Sequence, residues 1–462
     1  MKIAMCVSEL VPFAKTGGLA DVAKALSVAL EKEGQDIVII MPKYKQINKE
    51  EFKLEKICAD IYYSVIGRNI KVYFIENEKF FSREGLYQDE NGDYADNLRR
   101  FAYFCRRSLS LLKELEFKAD IIHLHDWQSA LVAVYLKTVY SRDTFFKGTR
   151  TLLTLHNLGY QGIFSKDEFS ELGLDWDLFD VGGLEFYGNI NLLKGGIVFA
   201  DLINTVSPTY RKEIMTQEFG FGLEGVLSKR SSSLYGILNG LDTDIWDPAK
   251  DKLISFNFSS SDSKNKARNK KDLRQTCNLP GFKDLPLIGI VSRIAQQKGF
   301  SILLEGIEEI LNIGVQLVIL GTGDPQCQHR LKYAAKRYPE SISVNFKFDD
   351  PLAHKIYAGS DIFLMPSSYE PCGLGQMIAL KYGTIPVVFK TGGLADTINP
   401  TNGFLFTSYN KIDLIKAVKA AVRVYKDKDK WAFLVSEAMK SDFSWKSSAK
   451  KYLKLYEKAK GK

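Results

Sequence analysis

The chain is poor in the residues that staple, ligate or anchor a protein. Six cysteines (Cys6, Cys58, Cys105, Cys277, Cys327 and Cys372) lie far apart among 462 residues, and none forms a C-x-x-C pair. Neither a zinc site nor a disulfide framework is indicated by that spacing. Reduced thiols in a cytoplasmic protein are the expectation. There are only five histidines, too few to suggest a metal centre, and no metal is expected. No apolar run approaches the ~20 residues of a membrane span. The stretch 3–7 is too short for a signal-peptide core, and Glu9 interrupts it, so it reads as a first strand. Also missing is G-x-G-x-x-G after that strand, with an acidic residue ~20 positions on, which argues against a dinucleotide-binding oxidoreductase. Most of the chain has no excess of either charge. The net charge is +8, but residues 411–462 alone hold 15 Lys+Arg against 6 Asp+Glu, a local +9 (15 − 6). The rest is about neutral, which is not a uniformly basic nucleic-acid surface. The terminal lysines read as solvated helix faces, and neither nucleic acid nor membrane is expected as a partner.

What remains is ordinary globular material, 45% hydrophobic and 26% charged. A chain this long exceeds what one core usually supports, so two domains are expected. Short β-branched runs alternate with helical stretches. Strands are predicted at 3–7, 36–41, 70–75, 120–124, 150–155, 202–206 and 235–238, then at 287–292, 315–320, 342–346, 361–365 and 385–389. The runs are continuous rather than alternating, as in parallel strands covered on both faces. An α/β fold of doubly wound sheets follows, with ligands at the carboxyl ends of the strands. The turn Asn239-Gly240-Leu241-Asp242 marks a boundary, giving domains at 1–242 and 243–440 and a terminal segment at 441–462. The polar, lysine-rich stretch 259–272 reads as a surface loop or exposed helix outside any core. Residues 432–459 carry apolar side chains at helical spacing (Phe433, Val435, Trp445, Tyr452, Leu455, Tyr456) and must pack on something.

The heptapeptide Lys-Thr-Gly-Gly-Leu-Ala-Asp occurs twice, at 15–21 and 390–396. Each copy follows an apolar run, as in a strand–turn–helix unit that offers backbone N–H groups and a lysine to an anion. Lys15 can supply a point charge to phosphate. Gly17 and Gly18 permit close approach, and Asp21 suits the first helical turn. A single Gly-Gly is also what a tight strand–helix turn uses; duplication with the same Lys and Asp favours a ligand. Two copies suggest two domains facing one phosphorylated ligand in a cleft.

Three further clusters sit at strand ends. Arg293 and Lys298, in Val291-Ser292-Arg293-Ile294-Ala295-Gln296-Gln297-Lys298-Gly299, are placed to clamp a diphosphate where charge develops on a leaving group. Glu370, in Ser368-Tyr369-Glu370-Pro371-Cys372-Gly373, lies between a strand end and a helix start. Cys372 has no histidine beside it and reads as a packed thiol. In the first half, His123-Leu124-His125-Asp126-Trp127 ends a strand. Alternation puts both histidines on one face, Asp126 could bind sugar hydroxyls, and Trp127 could offer an indole to a sugar face. His156-Asn157, followed by Gly159 and Gly162, reads as a second ligand loop.

Together these segments resemble the bacterial glycogen synthase and plant starch synthase family, retaining glycosyltransferases of the two-domain GT-B fold that use ADP-glucose. The resemblance covers almost the whole chain. It includes Ser8-Glu9, Tyr94-Ala95-Asp96-Asn97, Tyr160-Gln161-Gly162, Glu185-Phe186-Tyr187-Gly188, Ser207-Pro208-Thr209-Tyr210 and Gly321-Thr322-Gly323-Asp324-Pro325 beside the clusters above. The fold it implies is two Rossmann-like domains facing a central cleft, with the terminal helix crossing back to the first. It implies that Lys15, Gly17, Gly18 and Asp21 serve the donor, and that Arg293 and Lys298 bind the ADP diphosphate. Glu370 then lies beside the transferring glucose, Thr391, Gly392 and Gly393 cradle donor phosphate or sugar, and His156 and Asn157 hold donor glucose. Asp126, Trp127, Asp96 and Asn97 face the acceptor. The partners implied are ADP-glucose and an α-1,4-glucan, with no cofactor.

Many retaining GT-B enzymes carry Glu-x7-Glu, but eight positions after Glu370 stands Ile378. The resembled family shares that loss. With no second carboxylate, front-side transfer is expected rather than a covalent intermediate, and activity is expected to survive EDTA. Glycogen rather than starch follows from the lack of a transit peptide. The alternatives are a UDP-sugar transferase of the same fold and a non-catalytic glucan-binding regulator; a pyridoxal-phosphate phosphorylase is a more distant one.

Overall fold

The computed structural model describes residues 1–262, 264–281 and 285–461. It forms two compact units, Met1–Gly240 with Trp445–Lys462, and Leu241–Ser444.

The first unit holds β1 (Lys2–Cys6), β2 (Asp36–Pro42), β3 (Glu55–Lys56), β4 (Ile61–Ile66), β5 (Ile70–Ile75), β6 (Ile121–His125), β7 (Arg150–Leu155), β8 (Leu202–Thr205) and β9 (Leu234–Gly236). They form one sheet in the order β9-β8-β7-β6-β1-β2-β5-β4-β3. Seven strands are parallel, and β4 and β3 add an antiparallel edge. The central strands are fully buried, with Ile3, Ala4, Met5 and Cys6 all at 0% exposure, as continuous apolar runs require. Helices Asn97–Glu114, Asp126–Lys137 and Leu192–Phe199 pack together, and Gly18–Lys32 packs with Trp445–Lys460. Chain order reverses between β1 and β6, so the ligand crevice of such a sheet opens beside the ends of those two strands.

The second unit holds β10 (Leu287–Val291), β11 (Gln316–Leu320), β12 (Ile342–Asn345), β13 (Ile362–Met365), β14 (Ile385–Phe389) and β15 (Phe404–Phe406). All are parallel, in the order β12-β11-β10-β13-β14-β15. The reversal here falls between β10 and β13.

Two expectations need correction. The polar stretch 259–272 is not outside the core: most of helix Lys264–Thr276 falls in it, and that helix packs on helix Asp350–Gly359. Its long cations reach the start of the sheet. Lys266 Nζ donates to the carbonyls of Ala358 and Tyr382 and to Thr384 Oγ1, and burial lowers its ammonium pKa to about 7. Lys270 pairs with Asp361 at 2.5 Å, and Arg274 Nε donates to Gln316 Oε1 at 2.8 Å. Hydropathy missed this because the buried partners are carbonyls and carboxylates, not methyl groups. The segment 432–459 is not one packing surface. Helix Lys428–Met439 belongs to the second unit and leaves Phe433 exposed, whereas Trp445–Lys460 belongs to the first. In the latter, Trp445, Ala449, Tyr452, Tyr456 and Ala459 form a single buried face.

Candidate active site

In the first unit, the chain leaves β1 through Ser8 and Glu9 and returns to helix Gly18–Lys32 across the first glycine loop. Glu9 is buried at 5% exposure, and its carboxylate fixes that loop. It accepts from Thr16 N–H at 2.5 Å, Thr16 Oγ1 at 2.6 Å, Gly17 N–H at 3.1 Å and Tyr87 OH at 2.9 Å. An internal anion thus satisfies two backbone N–H groups just before the helix, where donors would otherwise be orphaned. Lys15, Gly17 and Gly18 are exposed, and a Cβ on either glycine would meet nothing within 4 Å. Lys15 Nζ pairs with Asp21, in the first helical turn, at 2.9 Å.

Beside this loop, β6 ends at His125 and β7 at Leu155. Asp126 is held at φ +54°, an uncommon conformation for a residue with a side chain. In that pose its Oδ1 accepts the His156 N–H at 2.7 Å. Burial raises the Asp126 carboxyl to about 7 against those backbone donors. His125 Nδ1 and His156 Nε2 meet at 2.9 Å. Asn157 Oδ1 accepts from Gly159 N–H and shapes the loop.

Trp127 does not offer its face to a sugar. It is 8% exposed and packs edge-on to Phe101 at 4.8 Å and against Phe164 at 5.8 Å. Its burial follows from its place inside the first helical turn, where the side chain turns back onto helix Asn97–Glu114. Asn97 is also buried, receiving Arg100 Nη1 at 2.6 Å and donating to the Tyr87 carbonyl at 2.9 Å. Asp96 forms a two-point pair with Arg83 at 2.7 and 2.6 Å. These groups order the segment that presents Tyr87 to Glu9.

In the second unit, the loop after β10 and the loop after β13 flank the reversal and are bonded to each other. Ser368 N–H donates to the Gln297 carbonyl at 2.8 Å, and Gln297 Nε2 donates to the Tyr369 carbonyl at 3.2 Å. Lys298 Nζ thereby reaches Glu370 Oε2 at 2.6 Å, where Ser367 Oγ also donates at 3.1 Å. Glu370 is 7% exposed, and its Oε1 has no partner among the described residues. Arg293 is exposed without an ion-pair partner among the described residues. One cation is fixed on a buried carboxylate, and a second on the same loop has no ion-pair partner among the described residues, an arrangement that suits a diphosphate with a reacting group next to it.

The second glycine loop backs onto this carboxylate. Thr391, Gly392 and Gly393 are buried. Gly392 has φ +42°, and a Cβ there would lie 2.0 Å from the Glu370 carbonyl oxygen. A Cβ on Gly393 would lie 2.1 Å from the Cys372 carbonyl oxygen, and Gly393 N–H donates to the Glu370 carbonyl at 3.1 Å. Cys372 is a buried thiol.

The hydrogen bonds that Glu9, His125, Ser367 and Tyr456 make around the site are not legible in the sequence. The Ser8-Glu9 pair was visible only as part of a resemblance. The His-x-His alternation did place His123 and His125 on one face, and their rings lie 4.2 Å apart. Nothing local pointed from them to Tyr456, more than 300 residues away. Among the described residues no helix is long and apolar enough to cross a membrane.

Comparison with known proteins places the chain. The starch synthase catalytic domain family matches residues 2–229, and the glycosyl transferases group 1 family matches residues 278–432. The chain is 47% identical to a glycogen synthase of Geotalea daltonii, covering 99% of this chain and 98% of that one. It is also 47% identical to a glycogen synthase of Thermosipho melanesiensis, with 100% of both covered. The structure is similar to the catalytic domain of starch synthase IV from Arabidopsis thaliana bound to ADP and acarbose. The TM-score is 0.90 at 35% identity, over 100% of this chain and 99% of that one.

Proposed function

We infer the reaction of this chain, which belongs to the glycogen synthase and starch synthase family of GT-B glycosyltransferases, from that membership and from its site. It transfers glucose from ADP-glucose to the non-reducing end of an α-1,4-glucan with retention of configuration, the glycogen-elongating reaction. The observation that carries this reading is the Lys298–Glu370 pair at 2.6 Å, on the same loop as Arg293, which has no ion-pair partner among the described residues. The two cations take the diphosphate and stabilise the charge that appears as ADP departs; each such preorganised group contributes on the order of 10²–10³ in rate. Diphosphate binding draws Lys298 toward phosphate and leaves the Glu370 carboxylate to orient the sugar or stabilise its oxocarbenium character.

The absence of a second carboxylate favours front-side transfer, in which the leaving phosphate accepts the acceptor O4 proton as the new bond forms on the same face. Lys15 with Gly17 and Gly18 serves the donor, and Asp21 holds Lys15. His156 and Asn157 hold the donor glucose. Asp126 and Asp96 lie toward the acceptor, which the buried Asn97 and Trp127 support from behind. Thr391, Gly392 and Gly393 hold the Glu370 loop in place against the donor. Because side-chain cations neutralise the phosphates, turnover is expected to be insensitive to EDTA. A cytoplasmic location belongs to the same reading.

The test is ADP release from ADP-glucose with glycogen, run beside UDP-glucose and beside a reaction without acceptor. Acceptor-dependent release from ADP-glucose is expected. Equal or better use of UDP-glucose overturns the donor assignment, and no turnover with either favours a glucan-binding regulator.

A further inference from the structure

Behind His156 runs a row of buried polar side chains that no step above uses. Tyr456 OH, on the C-terminal helix, meets His123 Nδ1 at 2.8 Å. His123 Nε2 meets Thr154 Oγ1 at 2.6 Å. Thr154 Oγ1 donates to Asn204 Oδ1 at 2.6 Å, and Asn204 Nδ2 donates to Tyr452 OH at 3.1 Å. The His123 ring packs on His125, whose Nδ1 faces His156 Nε2 at 2.9 Å. All of these residues belong to the first unit.

The protons in this row can be counted. A hydroxyl has one hydrogen, and Thr154 gives its hydrogen to Asn204. Thr154 Oγ1 therefore accepts from His123, so His123 carries its proton on Nε2. His123 Nδ1 is then the acceptor for Tyr456 OH, and every group in this part of the row is satisfied. At His125 the constraint is different, because Nε2 is buried with no hydrogen-bond partner among the described residues. A proton there would bury an unmatched N–H, which pays the full desolvation penalty of the donor. A lone pair without a donor is more easily tolerated than an orphaned N–H.

We propose that His125 is a positioning residue that carries its proton on Nδ1, donates it to His156 Nε2, and so fixes His156 as the Nδ1–H tautomer. The row ending at Tyr456 holds His125 in place. His156 then meets the substrate as a hydrogen-bond donor rather than as a base: the residue is half-buried, and its Nδ1 has no partner among the described residues. Burial lowers the pKa of all three rings, His123 to about 3, which keeps the row neutral. A donor suits a sugar oxygen that gains negative character or must be held as an acceptor. The role given to the donor rests on His156 contacting the sugar; the tautomer does not.

The test is ring-nitrogen NMR on the full chain labelled with 15N-histidine, without substrate, at neutral pH. Five histidines are few enough to assign by single substitution. The expected spectrum shows His156 protonated at Nδ1 and bare at Nε2, with His125 protonated at Nδ1. A proton on His156 Nε2 overturns the proposal, whatever the enzyme's activity. Two variants read the consequence. His125→Asn keeps an amide donor near the Nδ1 position, and its kcat is expected within about tenfold of the parent. His125→Asp offers only an acceptor, moves the His156 proton to Nε2, and is expected to lose on the order of 10²-fold in kcat. Equal losses in the two variants, with both folded, contradict the positioning role. If His125→Asp does not fold, the tautomer of the parent chain decides alone. Failure of the ADP-glucose assay with the expected tautomer intact would count against the reaction and not against His125.

Discussion

The two copies of Lys-Thr-Gly-Gly-Leu-Ala-Asp have the same seven residues and opposite surroundings. In the first unit, Lys15, Gly17 and Gly18 are exposed and nothing lies where their Cβ atoms would be. The loop is held from outside by the Glu9 carboxylate, which takes the N–H groups of Thr16 and Gly17. In the second unit, Gly392 and Gly393 are buried against the carbonyls of Glu370 and Cys372, about 2 Å from where a Cβ would sit. The first loop uses glycine to leave room; the second uses it to bring two backbones together behind the Glu370 carboxylate. Identical sequence therefore does not mean identical role. What differs is the neighbour, a side-chain carboxylate in one unit and a second loop backbone in the other.

The largest effect should come from the cation that the second unit holds beside that carboxylate. Lys298→Ala is expected to lower kcat by about 10²–10³, measured by ADP release. Lys15→Ala, which removes an exposed lysine of the other unit, should cost less, about tenfold. A reversal of that order would mean that the first loop carries the leaving group.

Next is stability. Gly393→Ala forces a methyl into the Cys372 carbonyl and should cost about 2–3 kcal/mol of unfolding free energy in urea, whereas Gly18→Ala should change it by less than about 1 kcal/mol.

The first unit carries a different strain, at Asp126, whose carboxyl is raised from 3.8 to about 7 by burial. A carboxyl raised in the folded state imposes no cost below pH ~4. It costs progressively more as pH rises toward 7 and a constant amount above. Asp126→Asn keeps the acceptor for His156 N–H and should become more stable relative to the parent across that window, by on the order of 2 kcal/mol at pH 8. Unfolding curves at pH 4 and pH 8 check it, and a difference independent of pH would contradict it.

The smallest effect should be at the surface. Lys15 and Asp21 are both well exposed, so Asp21→Asn should alter stability by at most ~1 kcal/mol, and less in high salt.

The parts legible in the sequence were those set by local pattern. The continuous apolar runs marked β1, β2 and β5 to β9 in the first unit and β10 to β14 in the second, because burial on both faces leaves no polar alternation; the three-residue β15 was not read. Strand β4 was invisible because it runs from buried Ile61 and Tyr62 to half-buried Tyr63 and Ser64 and exposed Val65, with neither a continuous apolar run nor a regular alternation. The stretch 259–272 read as surface because the core contacts it makes are polar, three of them from Lys266 alone, while the helix's buried apolar residue, Leu273, lies just past it. At the site, Lys298 and Glu370 were legible as separate strand-end motifs, but their contact spans 72 residues and required the β10–β13 neighbourhood. Trp127 was misread because its type suggested a sugar platform, while its position in the first turn of a helix set its burial. The heptapeptide repeat was the plainest signal in the chain, yet it did not disclose that one copy is open and the other packed.

The most direct measurement is thermal unfolding of Gly18→Ala and Gly393→Ala beside the parent, with ADP-glucose turnover on each. The melting temperature of Gly18→Ala is expected within about 2 °C of the parent, with turnover reduced by crowding of the open loop. For Gly393→Ala a fall of about 4–10 °C is expected. Equal falls in the two variants, or a fall confined to Gly18→Ala, would contradict that expectation.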